Sequence, residues 1–361
     1  MRILITGHDG YIGTVMAPAL RTAGHDVHGL DADLFSACAF GPQPPAIPSR
    51  QRDLREATPD DLAGFDAVVH LANLSNDPLG NLDPDLTYAI NHRATVRLGE
   101  LAREAGVERF VFASSCSLYG AAGQDAVDET APFNPVTPYG EAKVLAERDL
   151  KALETDSFAP VFMRNATVYG VSPRLRFDLV VNNLTAWAVA TGQVRMKSDG
   201  SPWRPLVHVR DVCSAFLAAL EAPTEAVSGK AFNVGSDAEN YRIREVAEIV
   251  GEEVDGTEVT FASGASPDTR SYRAGFGKIE RVLGWTAERT VRDGVREVRD
   301  ALSDLGLQPD DFEGPRYSRI AHLNALLGSG RLGADLRWTG ASSTDTARGV
   351  SAPDAPEPAF A

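Results

Sequence analysis

The chain has 361 residues, 43% of them apolar and 24% charged, enough to bury one large core or two smaller ones. A formal net charge of -15 excludes a general affinity for nucleic acid, which requires clustered Lys and Arg, but leaves room for a few arginines around a small anionic ligand. The longest apolar stretches, such as Ala67–Ala72, are far short of the roughly 20 residues of a membrane span, and Cys38, Cys116 and Cys213 lack metal-ligand or redox spacing, so no membrane, metal or disulfide is expected and a reducing cytoplasm fits.

Short apolar runs alternate with helix-length amphipathic segments through the first half. Strands are predicted at Arg2–Thr6, Asp26–Leu30, Ala67–Leu71, Arg109–Ser114 and Pro160–Arg164, with helices at Tyr11–Thr22, Pro84–Ala105 and Pro138–Leu153. This is the pattern of an α/β protein, a doubly wound parallel sheet covered by helices on both faces. Phe40–Pro48, with four prolines and a glycine, reads as a surface connection. Beyond Gly170 helices are predicted at Phe177–Ala190, Asp211–Leu220, Arg242–Glu253 and Val291–Leu302, mixed with brief strand-like pieces. The expected organisation is a doubly wound, Rossmann-type domain over 1–170, a smaller mixed α/β domain over 171–305 from which about 205–235 returns to the first, and a C-terminal extension over 306–339. Within that extension Leu323, Leu326, Leu327 and Leu332 suggest an amphipathic helix packed on a neighbour. The Ala, Ser, Thr, Pro and Asp content of 340–361 reads as a disordered tail.

Arg2–Thr6 runs into Gly7-His8-Asp9-Gly10-Tyr11-Ile12-Gly13, and a helix follows. Glycines at such a turn let backbone approach a pyrophosphate, and the free N–H groups of the helix start favour its charge. The second strand ends at Asp31, about twenty residues on, where a carboxylate can accept from the adenosine ribose hydroxyls; a solvated strand-end aspartate is the alternative. With Asp31 and Asp33 there and no Arg or Lys next to them in sequence, NAD is favoured over its 2′-phosphorylated form.

Tyr139 and Lys143 are four apart in a predicted helix and share one face. A phenol has an ordinary pKa of about 10, and a neighbouring ammonium and an oxidised nicotinamide would both favour its phenolate. The same spacing also fits an amphipathic surface pair. Ser114-Ser115-Cys116-Ser117 lies upstream at the carboxyl end of a strand, where open α/β sheets bind ligands, and the three parts together form an alcohol–ketone redox site.

These residues resemble the extended short-chain dehydrogenase/reductase family, especially its NAD-dependent nucleotide-sugar epimerases and dehydratases, over about residues 1–300. Asp53-Leu54 resembles the family's adenine-contacting pair, His70-Leu71-Ala72 its fourth-strand cofactor contact, and Asn91 its helix asparagine. Arg164–Gly170 resembles the sixth-strand segment, and Arg204 with His208–Asp211 the substrate-domain signature. The resemblance implies Ser115, Tyr139 and Lys143 as catalytic residues. For NAD it implies Gly7, Gly10, Tyr11, Ile12, Gly13, Asp31, Asp53, Leu54, Leu71, Ala72, Asn91 and Ala166, together with Tyr139 and Lys143. For the nucleotide sugar it implies Asn183, Arg204 and Arg270 near the nucleotide and Ser75, Ser117 and Thr167 near the sugar.

The 4,6-dehydratases of the family carry an Asp-Glu pair directly after the catalytic hydroxyl residue, and this chain has Cys116-Ser117 instead. Thr167 stands where many epimerases have an asparagine. The expected activity is therefore epimerisation of a UDP-, dTDP- or GDP-sugar through transient oxidation at C4. A net keto-sugar reductase, dehydrogenase or decarboxylase is the alternative, and a non-catalytic NAD-binding regulatory protein is a reading of another class. Partners implied by the resemblance are the nucleotide sugar and a second copy of the chain, paired through the Pro84–Ala105 and Pro138–Leu153 helices.

Overall fold

The computed structural model describes residues 1–121, 125–196, 198–262, 270–303, 305–308, 311–312 and 314–340, so the tail predicted from residue 340 lies, but for Gly340, outside the described residues. Seven strands form one parallel sheet in the order Ala231–Val234, Ala159–Asn165, Arg109–Ser115, Ala67–His70, Arg2–Thr6, Asp26–Asp31, Ser49–Gln51. The strand order reverses between Arg2–Thr6 and Ala67–His70, which opens a crevice at their carboxyl ends.

Alternate residues of the same strands feed opposite cores. Ile3, Ile5, Val69 and Val111 pack with Met16 and Leu20 of helix Gly13–Thr22 and with Phe216 of helix Val209–Glu221. Leu4, Val68, Phe110 and Phe112 face the other way, onto Leu98 and Leu101 of helix Thr95–Glu104 and onto Ala146 and Leu150 of helix Pro138–Lys151. Near-continuous apolar runs are what such double burial demands, and for this reason these strands are read easily from sequence.

A second layer sits over the crevice. Thr167–Tyr169, Trp203–His208 and Asn240–Arg242 form a three-stranded sheet, and Gln193–Met196 pairs with Glu258–Phe261. Around these pieces Val181, Leu184, Val246, Val250, Val291 and Val295, from helices Val180–Thr191, Ile243–Glu253 and Val291–Ser303, form a core of their own.

Several expectations need correcting. The predicted helix Pro84–Ala105 is three pieces, Pro84–Thr87, a widened π-type segment Tyr88–Ala94, and Thr95–Glu104. Phe40–Pro48 has no regular structure, yet Phe40 and Ile47 are buried, Phe40 among Leu175, Phe177 and Tyr317. The edge strand Ser49–Gln51 carries no apolar signal. Helix Arg319–Gly328 in the C-terminal extension stops before Leu332, and its apolar face packs on this same chain. Leu323, Leu326, Leu332 and Leu336 bury against Leu74 and Leu79.

Candidate active site

A cavity of about 560 Å³ runs along the carboxyl ends of the strands and under the second layer. At one end lies the glycine turn, with Gly7, Gly10, Tyr11, Ile12 and Gly13 all on the wall. Gly7 has φ +77°, and a Cβ there would lie 2.7 Å from the Ala72 nitrogen. At Gly13 a Cβ would lie 2.3 Å from the Gly7 carbonyl oxygen, so the turn closes only without side chains. The helix that follows has no side-chain cap, so its positive end faces the turn, although the Thr14, Val15 and Met16 N–H groups already donate to the Gly10 and Ile12 carbonyls.

Asp31, Asp53, Leu54, Leu71 and Ala72 line the same end. The Asp31 carboxylate accepts the N–H groups of Asp9 (3.0 Å) and Asp33 (2.9 Å) and keeps lone pairs for a further donor. The chain brings Arg52 and Arg55 into this wall, cations that no neighbour in sequence foretold, but both are already engaged. Arg55 lies on Asp53 at 2.5 Å, and Arg52 Nε stands 3.2 Å from Asp61.

At the centre the wall carries Ser115, Tyr139, Lys143, Ala166 and Thr167. Thr137 caps helix Pro138–Lys151 by accepting the Gly140 N–H (3.2 Å), and Pro138 stands in its first turn, so Tyr139 is fixed where the helix begins. Ser115 ends its strand and accepts the Ser117 N–H at 3.1 Å. Lys143 Nζ donates to the Ala113 carbonyl at 2.6 Å and sits 4.5 Å from the Phe112 ring centre and 5.6 Å from that of Tyr139. Burial pushes Lys143 down to about 7. In the free protein the Tyr139 phenol is governed by burial. Burial, and then the Asp77 carboxylate, push its phenol up to about 12, while hydrogen bonding with Ser115 and the charge of Arg176 draw it down only in part. Desolvation outweighs the cations nearby.

Toward the other end lie Ser75, Asp77, Ser117, Arg176, Arg204 and Arg270. Asp77 pairs with Arg270 and accepts the Thr137 hydroxyl at 2.5 Å. Arg176 is buried; it donates to Ser75 Oγ at 2.7 Å and forks onto Asp178, whose carboxylate also takes the Asn76 amide at 2.9 Å. Arg204 donates to the Trp203 carbonyl at 2.7 Å and to the Arg270 carbonyl. Asn73 Oδ1, Ser117 Oγ and Asn165 Oδ1 are buried on this wall without hydrogen-bond partners, as befits groups that await a polar ligand.

Two predicted site residues are not on the wall. Asn91 is fully buried behind it and clamps the Leu74 backbone, accepting its N–H at 2.8 Å and donating to its carbonyl at 3.0 Å. Asn183 donates to the Phe177 carbonyl at 2.7 Å. Conversely, Glu147 escaped the sequence reading although it lies eight residues after Tyr139 and four after Lys143, on the same helix face. It accepts Arg164 through Nε (3.0 Å) and Nη2 (2.7 Å) and the Ser114 hydroxyl (2.5 Å), while Arg164 Nη1 donates to Tyr119 (2.9 Å). This buried network ties the helix to the two central strands beneath Tyr139. Arg176 and Asp178 had one available signal, charges set inside the apolar run Leu175–Leu179.

Residues 3–235 match the model of the NAD dependent epimerase/dehydratase family. The chain belongs to that family. A UDP-glucose 4-epimerase of Mycolicibacterium smegmatis is 31% identical over 313 residues, 82% of this chain and 97% of its own length. One of Bacillus subtilis is 28% identical over 81% of this chain and 94% of its own. Among solved structures, MoeE5 in complex with UDP-glucuronic acid and NAD superposes with a TM-score of 0.73 at 28% identity, covering 83% of this chain and 98% of that one. TunA, an NAD dependent NDP-hexosamine 5,6-dehydratase, superposes with a TM-score of 0.75 at 25% identity, covering 84% and 98%. This family member is an NAD-dependent enzyme, and its cavity fits the cofactor: a turn closed to side chains, an uncapped helix start and a strand-end carboxylate stand in the order a dinucleotide requires. Among the described residues no helix is long and apolar enough to cross a membrane.

Proposed function

We propose that the protein is an NAD-dependent epimerase of a nucleotide-activated sugar, inverting C4 by transient oxidation. The observation that carries this reading is the meeting of Ser115, Tyr139 and Lys143 on one wall of the cavity whose far end is the glycine turn. Bound NAD supplies a reversible hydride acceptor and a positively charged ring. Tyr139, protonated at neutral pH in the free protein, would lose its proton to solvent once positive charge lowers its pKa; as the phenolate it would take the sugar hydroxyl proton and return it when the alcohol reforms. Ser115 holds the reacting oxygen, and the Lys143 ammonium stabilises the phenolate. Gly7, Gly10, Tyr11, Ile12 and Gly13 cradle the pyrophosphate, Asp31 takes the ribose, and Asp53, Leu54, Leu71, Ala72 and Ala166 close around the dinucleotide. Arg204 and Arg270 hold the substrate diphosphate, and Ser75, Ser117 and Thr167 face the sugar. Asn91 serves by positioning Leu74, and Asn183 is left out of the site.

Elimination, the chemistry of TunA, receives less support. Cys116, at the first of the two positions where 4,6-dehydratases hold carboxyls, is fully buried, donates to the Arg164 carbonyl at 3.1 Å, and burial raises its pKa. Incubation with UDP-, dTDP- and GDP-sugars without added nicotinamide, read by mass and NMR, is expected to give unchanged mass with an altered ring coupling. Loss of water or stoichiometric NADH would overturn the proposal. A cytoplasmic homodimer paired through Pro84–Glu104 and Pro138–Lys151 belongs to the same reading; the three free, buried cysteines are compatible with that compartment, and light scattering that finds only monomer would remove the dimer.

A further inference from the structure

The C-terminal extension reaches the cavity. Arg319 and Leu336 lie on its wall, and the stretch 319–338 is fastened to the turn that follows Asp31 and to Arg55. Trp338 Nε1 donates to the Ala32 carbonyl at 2.8 Å, His322 Nε2 lies 2.9 Å from the Leu34 carbonyl, and Arg55 Nη1 donates to the Asp335 carbonyl at 2.8 Å. Leu336 itself holds φ +60°, an uncommon conformation for a branched apolar side chain, and its side chain packs into the Leu74–Leu79 cluster. The segment therefore shares residues with the adenosine end of the site.

Arg319 is 2% exposed. Its Nη2 donates to the Arg174 carbonyl at 2.6 Å, its guanidinium lies 5.1 Å from the Phe35 ring centre and against the Cys38 thiol, and its Nη1 is buried without a hydrogen-bond partner. The two arginines beside it have carboxylates: Arg174 holds Asp9 at 2.5 Å and Arg176 holds Asp178 at 2.7 Å. Arg319 has no such ion pair among the described residues, and burial with the charge of Arg176 draws its pKa down to about 10. A buried cation with an orphaned donor on a cavity wall is costly unless an anion completes it. Arg174 connects it to the glycine turn, since Arg319 donates to the Arg174 carbonyl at 2.6 Å and the Arg174 side chain holds Asp9 of that turn at 2.5 Å. The anion this geometry suits is a diphosphate lying over Tyr11–Gly13.

We propose that Arg319 is a cofactor-binding residue, carried into the site by the C-terminal extension, whose guanidinium donates to the pyrophosphate of the dinucleotide. The proposal rests on the assignment of the glycine-turn end to NAD and on no particular sugar chemistry. The test is titration of the full-length protein, stripped of nucleotide, with NAD, ADP-ribose, adenosine and UDP. Arg319→Met is expected to weaken NAD and ADP-ribose about 10- to 100-fold, the range of a lost charge-assisted bond, while adenosine and UDP change less than about twofold. Should Arg319→Met not fold, Arg319→Gln decides, because it keeps a donor for the Arg174 carbonyl and lacks the charge. Unchanged NAD affinity in the variant that folds overturns the proposal, as does a loss confined to UDP, which would give the arginine to the substrate diphosphate. A wild-type protein that binds no NAD would instead defeat the assignment of the cavity itself.

Discussion

Lys143 and Glu147 stand one turn apart on the same face of helix Pro138–Lys151, both nearly inaccessible to solvent, and their surroundings differ sharply. Glu147 is saturated by a forked arginine and a serine hydroxyl. Lys143 has one carbonyl and the face of Phe112, and burial depresses its pKa to about 7. A buried charge whose partners are complete locks elements together, whereas one left incomplete keeps electrostatic influence to spend on a ligand. The same contrast separates Arg174 and Arg176 from Arg319 at the other end of the cavity.

Four substitutions separate the two kinds of buried group. Tyr139→Phe removes the proton acceptor and is expected to lower kcat by about 10³- to 10⁴-fold, at the upper end of general acid–base effects, with NAD content and melting temperature unchanged. Lys143→Met is expected to cost about 10²- to 10³-fold in kcat, without loss of stability in the nucleotide-free protein. Its pH profile carries the sign. The folded pKa lies below the unfolded value of 10.5, so between about 7 and 10.5 the unfolded chain holds a proton that the folded one lacks, and stability rises with pH across that window. Below that window both states are protonated and the slope from this group vanishes; denaturant titrations at several pH values should show the slope in the nucleotide-free wild type and its loss in Lys143→Met. Glu147→Ala reverses the pattern. It leaves Arg164 buried and unpaired, expected to cost about 3–5 kcal/mol of stability, with turnover per folded molecule within a few-fold of wild type. Asn183→Ala, which removes only the bond to the Phe177 carbonyl, should cost about 1 kcal/mol and leave UDP affinity unchanged; a tenfold loss of UDP binding would restore Asn183 to the site.

Legibility in the sequence followed the range of the interactions. The central strands carry apolar runs such as Ile3-Leu4-Ile5 and Phe110-Val111-Phe112-Ala113 because both faces are covered, and the strands' carboxyl ends coincide with Gly7, Asp31 and Ser115, so motif and position agree. Ser49–Gln51 is polar and at the sheet edge, and nothing local marks it. Asn91 was legible as a special residue but not in its role, since the widened turn that aims it at Leu74 is a tertiary outcome. The pairing of Arg270 with Asp77 joins residues 193 positions apart, and Arg319 enters the cavity only because an extension folds back across the sheet. For Tyr139, spacing shows a lysine nearby, but only the fold shows how thoroughly the phenol is desolvated in the free protein.

Inversion by transient oxidation requires a hydride that leaves the sugar and returns to the same carbon without exchange with water. The direct measurement is turnover of a nucleotide sugar deuterated at C4, in ordinary water, followed by NMR of both epimers at equilibrium. Full retention of the label at C4 in the inverted product is the predicted result. Washout of deuterium into solvent, or inversion at a carbon that never carried it, would contradict a transient oxidation at C4 beside Tyr139.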